Sequence, residues 1–512
     1  MNFLISNRIA LTLAVSKFIL PYLLQHPIYE LHRDELLYLE QGYHLAWGFL
    51  EIPPLLPVLA YYTHTLSSGF FWVKFWPSLF GALTVFLVCK MVKEMGGKNF
   101  AQVIAGLGII TGGYLRVHFL FQPNFLEIFF WTLSAFFIIR YINTKKESFV
   151  YFMAISIALA GLSKYSVVFF IAGIGMGILL TPYKVLLKSK HFYFAALLFI
   201  VLILPNLIWQ FNHNWPVVHH MQELRATQLQ YIEPGTFLLN QFLMNFPTFF
   251  VWIAGLSWLL ISGEGKKFRI IAIIYLTVII LLALSNGKDY YTLGTYPMLY
   301  AAGGTWLEKI TSTRFRWFRA ATVAFIFTLF IPLIPILLPV WPPEKLAKYY
   351  KDTGLDATGA LNWENLQRHT LPQDFADMLS WKELGSKVSR VYHSLPDKDK
   401  VKTLIYCRNY ALAGATTYYG KDLPTVTSDN ASFLLWMPDH YDIKHLLFVG
   451  KKIPEKDDMV FQQFEKYTVI DSVTTEHARE RGVKIILYEN GNDKVNLMIE
   501  QGIREMKNKF KR

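Results

Sequence analysis

Apolar residues in this 512-residue chain fall into eleven long runs, at about 9–25, 72–89, 101–115, 124–139, 149–162, 165–181, 192–211, 236–262, 268–285, 290–307 and 320–341. A helix of roughly 20 uncharged residues crosses a hydrocarbon core, so the pattern predicts about eleven membrane spans. The first run is followed by no small-residue cleavage site and reads as a retained span, not a signal peptide. An odd number of spans puts the two termini on opposite sides.

The pattern changes after "FIPLIPILLPVWPPEK", whose five prolines stop the last span. Short β-type runs then alternate with helical ones. "VKTLIYC", "ASFLLWM", "HLLFVG", "YTVIDSV" and "VKIILYEN" read as strands, and "NYALAGATTYYG" and "DDMVFQQFEKY" as helices. The tail "MIEQGIREMKNKFKR" reads as a terminal helix. The organisation expected is a membrane domain over 1–343, with a first outer loop at 26–71, and a small soluble α/β domain over 344–512.

Charge placement orients the spans. With the N-terminus inside, the inner loops and Arg8 hold 17 of the 24 basic residues of the membrane part and 4 acidic ones. The outer segments hold 6 basic and 9 acidic residues, as the positive-inside rule requires. The reading is a multi-pass protein of the cytoplasmic (inner) membrane with its C-terminal domain outside, in the periplasm. The net charge of +13 sits almost wholly in the membrane part, since residues 344–512 carry 26 basic against 24 acidic side chains. That excess marks orientation and lipid head groups, and nucleic acid is excluded as a partner. Two cysteines, Cys89 and Cys407, imply neither a disulfide framework nor a thiolate metal site.

Chemistry is concentrated after the first span, in "LHRDELLYLEQGYHLAWGFLEIPPLLP". Asp34 and Glu35 open a predicted helix, where an acidic pair suits the helix dipole and serves as a cap. The same pair also suits a general base, because adjacent carboxylates raise one another's pKa. Isolated cations recur at the outer ends of the spans: Arg33, Lys74, Arg116, Lys164, Arg225 and Lys288. Some are ordinary surface charges. Several converging beside a carboxylate at a membrane face would neutralise a lipid-linked phosphate as it departs.

His213, His219 and His220 crowd "FNHNWPVVHHMQELRATQ", and His219 with Glu223 has the i, i+4 spacing of a metal pair. The favoured reading is an interfacial helix using His and Trp as polar tips, because no compact ligand signature is present. No cofactor is assigned, and a divalent ion is left open. Lys17, within the first span, has no assigned role.

The order "DE…Y…G…PPL", with Tyr38, Pro53 and Pro54, resembles the dolichyl-phosphate-mannose-protein mannosyltransferase-like family, glycosyltransferase family 39, with the GT-C membrane fold. "FQPNFLEIFFWTLSAFF", "GLSKYSVVFF", "LPNLIWQFNHNWPVVHH" and "NGKDYYTLGTYPMLYAAGG" extend the likeness over the membrane part. "CRNYALAGATTYYGKDLPTVTSDNASFLLW" is similar to the soluble domain of bacterial members such as the lipid A aminoarabinose transferases. The resemblance implies that Asp34 is the base that deprotonates an acceptor hydroxyl, with Glu35 assisting. It also implies a polyprenyl-phosphate sugar donor, inversion at the anomeric carbon, and contact of Lys288, Tyr290 and Tyr291 with the lipid phosphate. An acidic residue common after the fourth-span proline is replaced by Asn124, with Glu127 a turn later. The lysine some relatives carry before "PPL" is Ile52, so Lys164, Arg225 or Lys288 must supply that charge.

The expected function is transfer of a sugar from a polyprenyl-phosphate donor in the membrane to an envelope acceptor: lipid A, another glycolipid, a glycan or a protein. A lipid flippase or transporter is the main rival. It would place ionisable groups at mid-membrane in two related halves, whereas here, Lys17 apart, polar residues gather at outer span ends. A non-catalytic assembly subunit is the second rival.

Overall fold

The computed structural model describes residues 2–67, 69–312, 315–365, 367–454 and 459–512. Every apolar run becomes helical. Among the described residues five helices are long and apolar enough to cross a membrane: Phe70–Glu94, Asn124–Thr144, Lys190–Asn212, Gly265–Leu284 and Phe318–Leu337. Two bent pairs raise that number to seven. The run at 236–262, expected as one span, breaks at Phe246–Thr248 and bends by 68°, where Pro247 withholds a backbone donor. The run at 165–181 forms Val167–Leu179 and then turns by 103°. The basic loop around Arg316 includes Thr313 and Arg314, which lie outside the described residues.

Small residues let these helices touch. Gly255 on Phe249–Ile261 and Gly303 on Tyr296–Ile310 face each other so closely that a Cβ at Gly303 would lie 1.9 Å from the Val251 carbonyl oxygen. Backbone contact of this kind replaces the hydrophobic drive that lipid cannot supply. Trp131, fully buried, stacks on Phe170 at 4.7 Å. Lys17 is also fully buried, and its ammonium donates to the Tyr114 carbonyl at 3.1 Å.

The C-terminal part holds one five-stranded sheet ordered β2-β1-β3-β5-β4. The strands are β1 (Thr403–Cys407), β2 (Val426–Thr427), β3 (His445–Gly450), β4 (Phe464–Ser472) and β5 (Lys484–Gly491). β1 runs parallel to β2 and β3, while β5 is antiparallel to both neighbours. The helices Trp381–Ser394, Tyr410–Tyr419 and Lys494–Asn508 accompany it. Two expectations are corrected. "ASFLLWM" is not a strand but holds a helical turn, Phe433–Trp436, which buries Phe433 and Leu434. In "DDMVFQQFEKY", Asp457 and Asp458 lie outside the described residues, Phe461–Gln463 is a single 3-10 turn, and Phe464 already belongs to β4.

This domain is clamped to the first loop. Glu30 accepts the backbone N–H groups of Trp381 (2.6 Å) and Lys382 (3.2 Å), capping the start of Trp381–Ser394. Gly414 packs so tightly on Leu36 that a Cβ there would stand 3.0 Å from the leucine's own. His44 stacks on Trp436 at 4.1 Å. Glu51 accepts from the Ser432 backbone (2.7 Å) and hydroxyl (2.6 Å) and from Gln41 (2.9 Å).

Candidate active site

The helix Arg33–Gln41 carries the acidic pair, and its start explains how the two carboxylates part. His32 is the N-cap: its ring accepts from the Asp34 N–H at 3.2 Å, and Glu35 reaches back to the His32 N–H at 2.7 Å. This reciprocal cap satisfies two orphan donors of the first turn. Neighbouring residues on a helix point about 100° apart, so Glu35 turns inward and Asp34 outward.

Glu35 is fully buried. Its oxygens lie 2.5 and 2.7 Å from the Lys74 ammonium, and one accepts the Phe121 N–H at 2.6 Å. The two adjacent carboxylates, expected to act as a pair, are therefore turned to different partners. Glu35 is consumed as a cap and ion-pair partner, away from Asp34. Lys74, counted among the outer cations, is consumed with it.

Asp34 keeps 31% of its side-chain surface open. Its Oδ1 accepts the Tyr410 hydroxyl at 2.7 Å and its Oδ2 the Gln122 amide at 3.1 Å. Burial works to raise its pKa, but His32, Arg33, the Tyr410 hydroxyl and Lys288 together hold it below the usual carboxylate value. It is ionised at neutral pH, the state a base requires. Behind it, Asp377 lies 3.8 Å from the His32 ring and 3.1 Å from Arg479; burial pushes its carboxyl up to about 6. Arg33 sits over the Tyr410 ring at 5.0 Å, and its buried Nε has no hydrogen-bond partner.

A second cluster forms around Lys164. Its ammonium donates to Asn124 (2.7 Å) and Glu127 (3.0 Å) and lies 3.7 Å from the centre of the Tyr291 ring. Ser166 donates to the other Glu127 oxygen. Asn124 and Glu127, one turn apart on Asn124–Thr144, thus grip the same cation. Tyr290 packs edge-on against Tyr291 at 5.0 Å, with Lys164 5.1 Å and Lys288 6.0 Å from its ring centre. Lys288 is within electrostatic reach of both Asp34 and Lys164. Burial lowers the Lys164 pKa, Glu127 opposes that, and Lys288 adds to it. Two ammonium groups, Lys164 and Lys288, thus stand around the Tyr290 ring, with Glu127 paired to the first and Asp289 bonded to the Tyr290 N–H at 2.8 Å.

The other predicted residues are distributed as follows. Tyr38 joins the acidic side: burial first, then the charge of Asp34, raises its hydroxyl pKa. Pro53 and Pro54 are buried, and Pro54 starts the helix Leu55–Leu66, whose Leu55 N–H bonds the Leu162 carbonyl. Arg225 is exposed on Pro216–Thr227. Arg116 pairs with Asp374 at 3.0 Å. His213 bonds its own helix at Trp209 and stacks on that ring, and His219 faces Asn214. Among the described residues no group of three His, Cys, Asp or Glu could hold a metal ion. Tyr410 and Gln122, which touch Asp34 directly, were not singled out from sequence. Each lies in a quoted motif, but nothing local marks its partner.

The helical core with a small C-terminal sheet beside its first loop is a GT-C membrane fold. ArnT of Cupriavidus metallidurans bound to undecaprenyl phosphate superimposes with a TM-score of 0.58 at 9% identity, covering 93% of this chain and 97% of that one. Its apo state gives 0.58 at 11% identity, covering 93% and 96%. A family model described as dolichyl-phosphate-mannose-protein mannosyltransferase matches residues 51–209, starting after Asp34 and Glu35. Lipid A galacturonosyltransferase RgtD of Rhizobium johnstonii is 22% identical over 193 residues, 37% of this chain and 41% of that protein. The match thus spans less than half of that curated relative. Together these bear out the resemblance to family 39-like GT-C proteins read from the sequence.

Proposed function

We propose that the protein is an inverting glycosyltransferase that moves a sugar from a polyprenyl phosphate to a hydroxyl or phosphate of an envelope acceptor. The observation that carries this reading is that Lys164 and Lys288 share the Tyr290 ring, 5.1 and 6.0 Å from its centre, while the Lys288 charge acts on the Asp34 carboxylate. A base and two cations in electrostatic range of one another are what an inverting transfer from a phosphate needs. Asp34 takes the proton of the acceptor hydroxyl while that oxygen attacks the anomeric carbon. The bond from that carbon to the phosphate oxygen breaks on the opposite face. Lys164 and Lys288 neutralise the polyprenyl phosphate as it leaves, with Tyr290 and Tyr291 walling its head group. An acceptor that is already a phosphate needs no proton removed. Glu35, in this scheme, positions the helix instead of assisting the chemistry.

The same reading takes the eleven apolar runs as eleven crossings of the inner membrane, with residues 344–512 as a periplasmic domain. Support comes from the charge pattern of the loops and from the similar proteins, one named a lipid A galacturonosyltransferase and one bound to undecaprenyl phosphate. The test is label transfer from a panel of radiolabelled polyprenyl-phosphate sugars in membranes carrying wild type or Asp34→Asn. The wild type transfers and the variant does not; equal turnover removes Asp34 as base.

A further inference from the structure

We propose that Tyr410, on the soluble domain, is a positioning residue for the Asp34 carboxylate, so that this domain completes the active site instead of only covering it. The inference rests on the reading of Asp34 as base. A carboxylate on a short side chain rotates freely unless both oxygens are held. Here Tyr410 holds Oδ1 at 2.7 Å and Gln122 holds Oδ2 at 3.1 Å. Each oxygen keeps a second lone pair for an incoming hydroxyl.

Tyr410 is itself held. Asn409 caps its helix by accepting the Ala411 and Leu412 N–H groups, each at 3.0 Å, which sets Tyr410 at the first helical position, with Arg408 and Asn409 between it and the end of β1. Its own N–H donates to Asn430 at 3.1 Å, and the Arg33 guanidinium covers its ring. The phenol therefore reaches Asp34 from a rigid strand-to-helix junction.

The charged and titratable groups facing Asp34 come from every neighbouring element. They are His32 and Arg33 beside it, Tyr38 on its own helix, Lys288 and Tyr290 from the segment before Tyr296–Ile310, and Tyr410 and Asp377 from the soluble domain. Among these, Tyr410 donates a direct bond to the ionised form. Such a bond favours the carboxylate, so its removal makes Asp34 easier to protonate. The sign is definite: without the hydroxyl, the Asp34 titration moves to higher pH.

The experiment follows the carboxyl band of Asp34 by infrared difference spectroscopy of the full-length protein in detergent, assigned by its loss in Asp34→Asn. In Tyr410→Phe the titration midpoint rises by about one pH unit. Asn430→Ala, which keeps the phenol but frees its backbone, gives a smaller rise and covers the case in which Tyr410→Phe fails to fold. A midpoint that stays put in a folded variant overturns the proposal. Failure of the base reading shows itself elsewhere, as unaltered sugar transfer by Asp34→Asn.

Discussion

Glu35 and Lys74 meet head to head inside the protein, the ammonium 2.5 and 2.7 Å from the two carboxylate oxygens, with both side chains almost wholly out of solvent. The same carboxylate holds the N–H groups of His32 and Phe121. One side chain therefore ties the first-loop helix to Phe70–Glu94 and to the segment leading into Asn124–Thr144. Asp34 owes its outward direction to this anchor.

Breaking a buried pair by removing one partner leaves an uncompensated charge, at a cost of about 3–5 kcal/mol. Lys74→Met is therefore expected to lower the unfolding temperature sharply in detergent. The double variant Glu35→Leu with Lys74→Met recovers part of that loss. Thermal unfolding of the three proteins checks this; a stable Lys74→Met with normal unfolding would show the pair to be dispensable.

Asp34→Asn keeps the shape of the side chain and removes its basicity. General base catalysis contributes about 10²–10⁴-fold, and transfer to a hydroxyl acceptor is expected to fall within that range. Binding of the lipid donor, measured by its protection against thermal unfolding, should hardly change.

The three cations named from sequence separate by place. Lys164→Ala and Lys288→Ala are expected to weaken donor binding, each raising the donor KM about tenfold or more, because each removes a cation beside the Tyr290 ring. Arg225→Ala, exposed on its own helix, should leave donor KM within about twofold, as for other surface charges. A donor titration of all three decides the matter.

Burial pushes the Glu51 carboxyl up to about 7, against the donors from Ser432 and Gln41. Its folded value lies above the ordinary one of 4.5, so the folded protein binds this proton more tightly. That stabilisation is complete below about pH 4.5 and is lost as pH rises through 7. The unfolding temperature should therefore decline by a few degrees between pH 5 and pH 8. Glu51→Gln should flatten this decline, as scanning calorimetry across that range would reveal.

Apolar runs translate into helices because their signal is local, although some runs are divided, as at 236–262. The bend at Phe246–Thr248 escaped because apolar residues continue on both sides of Pro247 and hide the break. β2, two residues long, is too short to carry a periodicity, and the turn at Phe433–Trp436 has the composition of a strand. At the site, the spacing of Asn124 and Glu127 already placed both on one face, and Lys164 joins them there. A histidine N-cap is an unusual start to a capping box, so the sequence alone does not show that Glu35 closes that box and pairs with Lys74. Tyr410 escaped for a deeper reason: its bond to Asp34 joins residues 376 positions apart, and such a contact leaves no trace in either neighbourhood.

That separation also orders events during synthesis. Ribosomes finish the first loop, and the helix bearing Asp34, long before Tyr410 has been made. A nascent chain that stops short of residue 410 thus holds the aspartate without its phenolic partner.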